Sequence, residues 1–103
     1  MRYRALASPS FIAQHFAQGV DVAALGRVPA IVFGPDDQLQ HRYLQALGVP
    51  GSFSYHLCPS SEGFVRLAEH GLGWGLIPEQ QVQRQLAAGQ LQELLPQRPL
   101  DVP

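Results

Sequence analysis

Residues Ser60 to Pro78, which read S-S-E-G-F-V-R-L-A-E-H-G-L-G-W-G-L-I-P, predict an amphipathic helix, a glycine turn and a short buried strand. Ser60 or Ser61 is a suitable N-cap, and the carboxylate of Glu62 follows in the electropositive first turn. The apolar residues after it recur at the spacing of one helix face: Phe64, Leu67, Ala68 and Gly71. Hydroxyls and free N–H groups at a helix start, next to a strand end, are where α/β domains bind small ligands. The stretch therefore predicts a binding site.

The composition is that of an ordinary globular domain. The chain has 103 residues, 46% of them hydrophobic and 15% charged, with a net charge of −1, which suits one domain with a sizeable core. All seven basic residues are scattered arginines, which argues against nucleic acid as a partner of this segment itself. The single cysteine, Cys58, excludes an internal disulfide, and no apolar run has the length of a membrane span. These features predict a cytoplasmic protein.

Strands and helices alternate along the chain. Apolar runs predict strands at 2–7, 30–33, 53–57, 73–77 and 91–95. Cap residues predict helices between them, beginning at Ser8-Pro9, Asp21, Asp36-Asp37, Ser60-Ser61 and Glu79. This order predicts an α/β fold with a mostly parallel five-stranded sheet flanked by helices on both faces. Residues 1–95 are expected to form this lobe, and 96–103, with three prolines, an exit linker.

A binding crevice is expected at the carboxyl ends of the parallel strands. Three strand ends are predicted to collect there: Ser8, 33–37 and 59–62. Asp36 and Asp37 are predicted helix caps, and one of them is also expected to pair with a cationic ligand. The same two roles, cap and ligand contact, are assigned to Ser60, Ser61 and Glu62, whereas Ser8 is expected mainly to cap. Trp74 is expected in the core, with the crevice as the alternative.

Three other kinds of site have weaker support. Gly71 to Gly75 resembles a dinucleotide loop, but that loop follows a strand and opens a helix, and here the order is reversed. His56 and Cys58 lie two residues apart, but no second pair has the spacing of metal ligands. A nucleophile at Cys58 or Ser60 lacks an orienting third group. We therefore expect no cofactor, no metal and no enzymatic activity.

The central stretch resembles the effector-binding domain of LysR-type transcriptional regulators. The similarity is carried by S-S-E-G-F-V at 60–65 and G-L-G-W-G-L-I-P at 71–78. It extends to A-S-P-S-F-I at 7–12 and P-A-I-V-F at 29–33. These segments are similar to the subgroup that senses lysine and arginine, which includes regulators of amino-acid export and proteins described as inhibitors of replication initiation.

The resemblance implies the second lobe of a periplasmic-binding-protein-like (type 2) domain, with the effector held between two lobes. A winged helix-turn-helix, its linker helix and the first lobe would precede Arg2, and DNA would be bound only through that domain. The resemblance also implies a homodimer or homotetramer. Carried over by position, the effector-facing residues would be Ser8, Phe33, Asp36, Asp37, Ser60, Ser61 and Glu62.

Two alternative functions remain at this point. The first is a stand-alone module that binds another small polar ligand in the same crevice. The second is a small hydrolase or transferase that uses Ser60, Cys58 and His56.

Overall fold

The computed structural model describes residues 1–49 and 53–102, so the predicted tail at 96–103 extends one residue past this range. The elements in chain order are β1 (Arg2–Ala7), α1 (Pro9–His15), α2 (Val22–Leu25), β2 (Ala30–Val32), α3 (Leu39–Ala46), β3 (Tyr55–Leu57), α4 (Ser61–Glu69), β4 (Gly75–Pro78), a 3-10 turn (Glu79–Gln81), α5 (Gln83–Ala88), β5 (Gln92–Glu93) and β6 (Leu100–Asp101).

Three helices begin where the sequence predicts, because a side-chain oxygen accepts a hydrogen bond from a free N–H group in the first turn of each. The acceptor and donor pairs are Ser8 Oγ with Phe11 N–H (3.1 Å), Asp21 Oδ1 with Ala24 N–H (2.7 Å) and Ser60 Oγ with Gly63 N–H (3.1 Å). α4 stops before Gly71, whose φ of +77° is the left-handed conformation that glycine adopts without a steric penalty. The caps at Ser8, Asp21 and Ser60 and this helix end are confirmed. The prediction that Asp36 or Asp37 caps the next helix is wrong, because the N-cap of α3 is Gln38, whose side chain makes no cap hydrogen bond.

β1 lies in a four-stranded sheet and runs antiparallel to β4, β5 and β6. β2 and β3 pair in parallel, and a parallel bridge between Ala30 and Trp74 joins β2 to the segment that leads into β4. The prediction of a mostly parallel five-stranded sheet is therefore wrong. Alternation of strands and helices predicts parallel neighbours only where consecutive strands pair. The partners of β1 come instead from 75–101, so contacts remote in sequence set its direction.

Two hydrophobic clusters cover the two faces of the sheet, because alternate residues of a strand point to opposite faces. Ala5 and Leu76 pack with α1, α2 and α3 on one face, and Leu6 and Ile77 pack with α4 on the other. Helices thus cover both faces, as predicted. Trp74 is fully buried in the first cluster, so it belongs to the core and not to the crevice.

The antiparallel register of β1 and β4 separates strand ends that the sequence analysis places together. Leu6 lies opposite Gly75, and Tyr3 lies opposite Pro78. The carboxyl end of β1, which leads into Ser8, therefore sits beside the start of β4. The carboxyl ends of β2 and β4 lie at the opposite end of the sheet, near the start of β1. The expected convergence of three strand ends fails for Ser8.

The tail packs on the lobe. β6 pairs with the start of β1, and Arg2 Nε donates to Asp101 Oδ1 (2.7 Å) across the pair. The hydrogen bond between them, and then their opposite charges, raise the pKa of Arg2 and lower that of Asp101. Both groups are exposed and screened by water, so this ion pair contributes little stability. The Tyr43 hydroxyl donates to the Arg98 carbonyl (2.7 Å). A role of 96–103 as a linker towards a first lobe stays a prediction.

Burial raises the pKa of Tyr43 to about 12, and this predicts a loss of stability in alkali. Because the pKa is raised in the folded state, the contribution of Tyr43 is complete below about pH 10 and disappears as the pH approaches 12. We expect the free energy of unfolding to fall by about 2 kcal/mol over this range through Tyr43 alone. Urea unfolding of the protein and of Tyr43→Phe at both ends of the range tests this, and an equal fall in the two proteins would contradict it.

Candidate functional site

A cavity of about 330 Å³ opens at the carboxyl ends of β2 and β4, beside the first turn of α4. This volume lies within the usual range of small-molecule sites. Its walls are mostly apolar, with a few polar groups at the rim. The lining residues are Tyr3, Phe33, Asp37, Leu39, Ser61, Phe64, Val65, Leu76, Ile77, Pro78 and Gln81.

Asp37 contributes a carboxylate that the backbone holds in place. Its Oδ2 accepts from Phe33 N–H (3.3 Å) and its Oδ1 accepts from Leu39 N–H (3.0 Å). Its own N–H donates to the Gly34 carbonyl (3.0 Å), which closes the turn between β2 and α3. These contacts fix a half-buried negative charge in the wall of the cavity.

The first turn of α4 forms the facing polar wall. Ser60 Oγ is engaged with Gly63 N–H as the cap, so Ser61 is the serine that lines the cavity. Gln81 Nε2 donates to the Ser61 carbonyl (3.2 Å) and ties the 3-10 turn to this end of α4. The N–H groups of a first helical turn have no intrahelical partner and carry a partial positive charge. This wall therefore favours a carboxylate or a neutral oxygen.

The structure brings some of the predicted site residues together and separates the others. Phe33, Asp37 and Ser61 line the cavity, and Ser60 stands next to it as the cap. Asp36 is exposed and does not line it.

Glu62 and Ser8 lie elsewhere. Glu62 lines an outer groove between α4 and α5, together with Arg66, Glu69 and Arg84. Ser8 is buried at the opposite end of the sheet, where its Oγ caps α1 and lies 3.0 Å from Ser10 Oγ. Neither residue lines the cavity.

Tyr3 and Gln81 also line the cavity, although the sequence does not predict either of them there. Tyr3 reaches it only because β1 runs antiparallel to β4, and Gln81 only because a 3-10 turn follows Pro78. No local sequence signal announces either contact. These two polar side chains could therefore not be predicted as site residues from the sequence.

The charges of the cavity are asymmetric. Among the described residues that line it, Asp37 alone carries a carboxylate, and none carries a basic group. The neighbouring Arg4 is occupied, since its Nε lies 2.8 Å from Glu79 and its Nη1 lies 3.2 Å from Glu93. The site is thus negative at Asp37 and weakly positive at the start of α4, with apolar walls between.

The geometry gives no support to the metal and enzyme alternatives. Within 1–49 and 53–102, no group of three or more His, Cys, Asp and Glu side chains has the arrangement of a metal site. The Cys58 thiol lies 3.8 Å from the Ser60 carbonyl, and His56 is exposed on β3. Ser60 Oγ serves as a helix cap. None of these contacts pairs a nucleophile with a base.

Comparisons with known proteins bear on the whole chain. A family profile described as the LysR substrate binding domain matches residues 1–103. Proteins named HTH-type transcriptional regulator ArgP from Pseudomonas aeruginosa and Pseudomonas fluorescens are 70% and 68% identical over 103 residues, which is 100% of this chain and 34% of theirs. The chain thus spans about a third of the length of these relatives.

Solved structures with a similar fold cover the complete chain as well. The C-terminal domains of a LysR family protein from Agrobacterium tumefaciens are 50% identical with a TM-score of 0.90, and the match covers half of that chain. ArgP from Mycobacterium tuberculosis is 34% identical with a TM-score of 0.91 over 36% of its chain. Full-length LysG from Corynebacterium glutamicum, described with bound effector Arg, is 39% identical with a TM-score of 0.81 over 35% of its chain. In the part of this chain that the structure describes, no helix is long and apolar enough to cross a membrane.

Proposed function

Because the chain belongs to the LysR substrate-binding domain family, we propose that its cavity binds lysine or arginine and that this binding controls transcription. The observation that carries the proposal is the pairing of one fixed carboxylate with a helix start across an apolar cavity. A basic amino acid has the complementary three parts: a distal cation, an aliphatic stem and a carboxylate.

The proposed orientation follows from these charges. The distal cation faces Asp37, and the carboxylate faces Ser61 and the N–H groups of the first turn of α4. The stem lies along apolar walls that include Leu39 and Leu76. Charge-assisted hydrogen bonds in such a partly dry site contribute about 1.5–3 kcal/mol each. The relative described with bound arginine supports this choice of effector class.

The mechanism we propose is a population shift. The effector contacts this lobe and a first lobe, and it stabilises the closed arrangement of the two by its differential affinity. Closure alters the geometry of a homodimer or homotetramer, and a helix-turn-helix outside this chain transmits the change to cytoplasmic DNA. The tail at 96–103 would lead towards the first lobe.

Calorimetric titration of lysine and arginine into the full-length regulator tests the proposal, with the 103-residue chain titrated beside it. We expect binding to the full-length protein and much weaker binding to the chain alone, since the second wall of the crevice is then missing. Binding of neither amino acid to the full-length protein would refute the effector class. Equal affinity of the two proteins would favour a stand-alone binding module.

The two serines at the start of α4 are expected to respond differently to substitution. Ser61→Ala should weaken binding of arginine or lysine by about threefold to tenfold and leave stability unchanged, because its hydroxyl faces the ligand. Ser60→Ala should lower the free energy of unfolding by about 1 kcal/mol, because the cap of α4 is lost. Titration and urea unfolding of both variants test this pair. A larger loss of affinity in Ser60→Ala than in Ser61→Ala would contradict the assignment.

A further inference from the structure

The cavity lies where the pairing of β2 with β4 stops. Trp74 N–H donates to the Pro29 carbonyl (3.2 Å), and Ile31 N–H donates to the Trp74 carbonyl (2.8 Å). In a parallel ladder the next two bonds would run from Leu76 N–H to the Ile31 carbonyl and from Phe33 N–H to the Leu76 carbonyl. The Ile31 carbonyl and the Phe33 N–H have side-chain partners instead.

Two side chains from α3 and the turn before it take these positions. Gln40 Nε2 donates to the Ile31 carbonyl, and Asp37 Oδ2 accepts from Phe33 N–H (3.3 Å). Gln40 is buried, with 1% of its surface exposed, although it stands on a helix whose other glutamine, Gln45, is exposed. Burying an amide costs free energy unless it is hydrogen-bonded, so the contact with the Ile31 carbonyl offsets the cost of burying Gln40.

Leu76 is oriented to continue the ladder. It lies opposite Ala5 of β1, and the Ala5 carbonyl accepts from Leu94 N–H (2.9 Å) on the far side of β1. Ala5 and Leu76 are therefore a non-hydrogen-bonded pair, and the N–H and carbonyl of Leu76 point away from β1 towards β2. The donor and the acceptor that would close the gap are both present in β4.

We propose that Gln40 and Asp37 end the β2–β4 ladder by occupying its next acceptor and donor, and thereby hold the two strand ends apart to form the cavity. Gln40 is a positioning residue in this account, because it acts through Ile31 and does not reach the ligand. The inference extends the proposed function by naming what keeps its site open. It does not depend on which molecule binds there.

Gln40→Met tests the inference, because methionine has nearly the volume of glutamine and no N–H group. With the Ile31 carbonyl freed, Leu76 N–H should bond to it, so hydrogen exchange of the peptide containing Leu76 should slow by roughly tenfold in the full-length protein without ligand. A purely structural role of Gln40 would give faster exchange. The matched control is Gln45→Met on the same helix, which should leave exchange as in the unmodified protein.

Affinity gives the second measurement. As the cavity narrows, binding of arginine should weaken by about threefold to tenfold in Gln40→Met and stay unchanged in Gln45→Met. If Gln40→Met fails to fold, Gln40→Asn replaces it, since its shorter amide cannot reach Ile31. Unchanged or faster exchange at Leu76 in the folded variant would overturn the inference. If the unmodified protein binds neither lysine nor arginine, the proposed effector fails, and the exchange result still decides the role of Gln40.

Discussion

Asp37→Asn in the full-length regulator should weaken arginine binding by about 30- to 100-fold, which is the loss expected when a charge-assisted contact becomes neutral in a partly dry cavity. Asn preserves the size of the side chain and one oxygen acceptor. Asp37 accepts hydrogen bonds from Phe33 N–H and Leu39 N–H, one at each carboxylate oxygen. Asn has a single side-chain oxygen, which can accept only one of these bonds with good geometry. We therefore expect a small loss of stability beside the large loss of affinity.

A comparison of ligands separates the charge from any change of shape. Citrulline replaces the guanidinium of arginine with a neutral urea group of similar size. The unmodified protein should prefer arginine strongly, and Asp37→Asn should bind the two ligands almost equally, which gives the coupling energy between carboxylate and cation. The same preference for arginine in both proteins would show that Asp37 does not face the cation.

Asp36→Asn is the matched control for this experiment. Asp36 is adjacent in sequence and carries the same charge, but it is exposed and does not line the cavity. Its effect should therefore stay below about twofold, since exposed charges are screened by water and salt. A larger effect in Asp36→Asn than in Asp37→Asn would exchange the roles of the two residues.

Local features of this fold were predictable from the sequence. Caps such as Ser8, Asp21 and Ser60 depend only on contacts within the first turn of a helix, and all three form as predicted. The helical face that includes Phe64 and Ala68 packs on the core, as its spacing indicates. Asp37 and Ser61, which the sequence predicts at the crevice, both line the cavity, and their contact with an effector stays a prediction.

The direction of β1 was not predictable in the same way. Its partners are β4, β5 and β6, and no local pattern in 2–7 encodes that choice. This direction affects the site. Ser8 lies at the end of the sheet away from the cavity, and Tyr3, at the start of β1, lines the cavity. One reversed strand thus exchanges two members of the predicted site.

Gln40 illustrates a second kind of limit. On the helix face it lies between Leu39 and Tyr43, and a polar residue there is ordinarily assigned to solvent. Its burial is tied to the Ile31 carbonyl, which accepts from Gln40 Nε2 at the point where the β2–β4 ladder stops. The need for a donor at this point arises only from the assembled sheet, so periodicity in α3 cannot reveal it.

Gly75→Ala should lower the free energy of unfolding by about 1–3 kcal/mol, because there is no room for a side chain at this position. A Cβ on Gly75 would lie 2.4 Å from Cε1 and 2.7 Å from Cζ of Phe64. Both residues are buried, and Phe64 also lines the cavity, which offers its ring space to move into. The substitution should push the ring into the cavity and weaken arginine binding as well.

Gly34→Ala is the matched control, since a Cβ at Gly34 meets nothing within 4 Å and its turn borders the same cavity. Urea unfolding should show little change for Gly34→Ala and a clear loss for Gly75→Ala, with the titration following the same order. Adding Phe64→Leu to Gly75→Ala should recover part of the stability, because the smaller side chain relieves the overlap and makes the two changes non-additive. Equal stability of Gly75→Ala and the unmodified protein would contradict the prediction. It would show that β4 and α4 have room for a Cβ at this position without displacing the ring of Phe64.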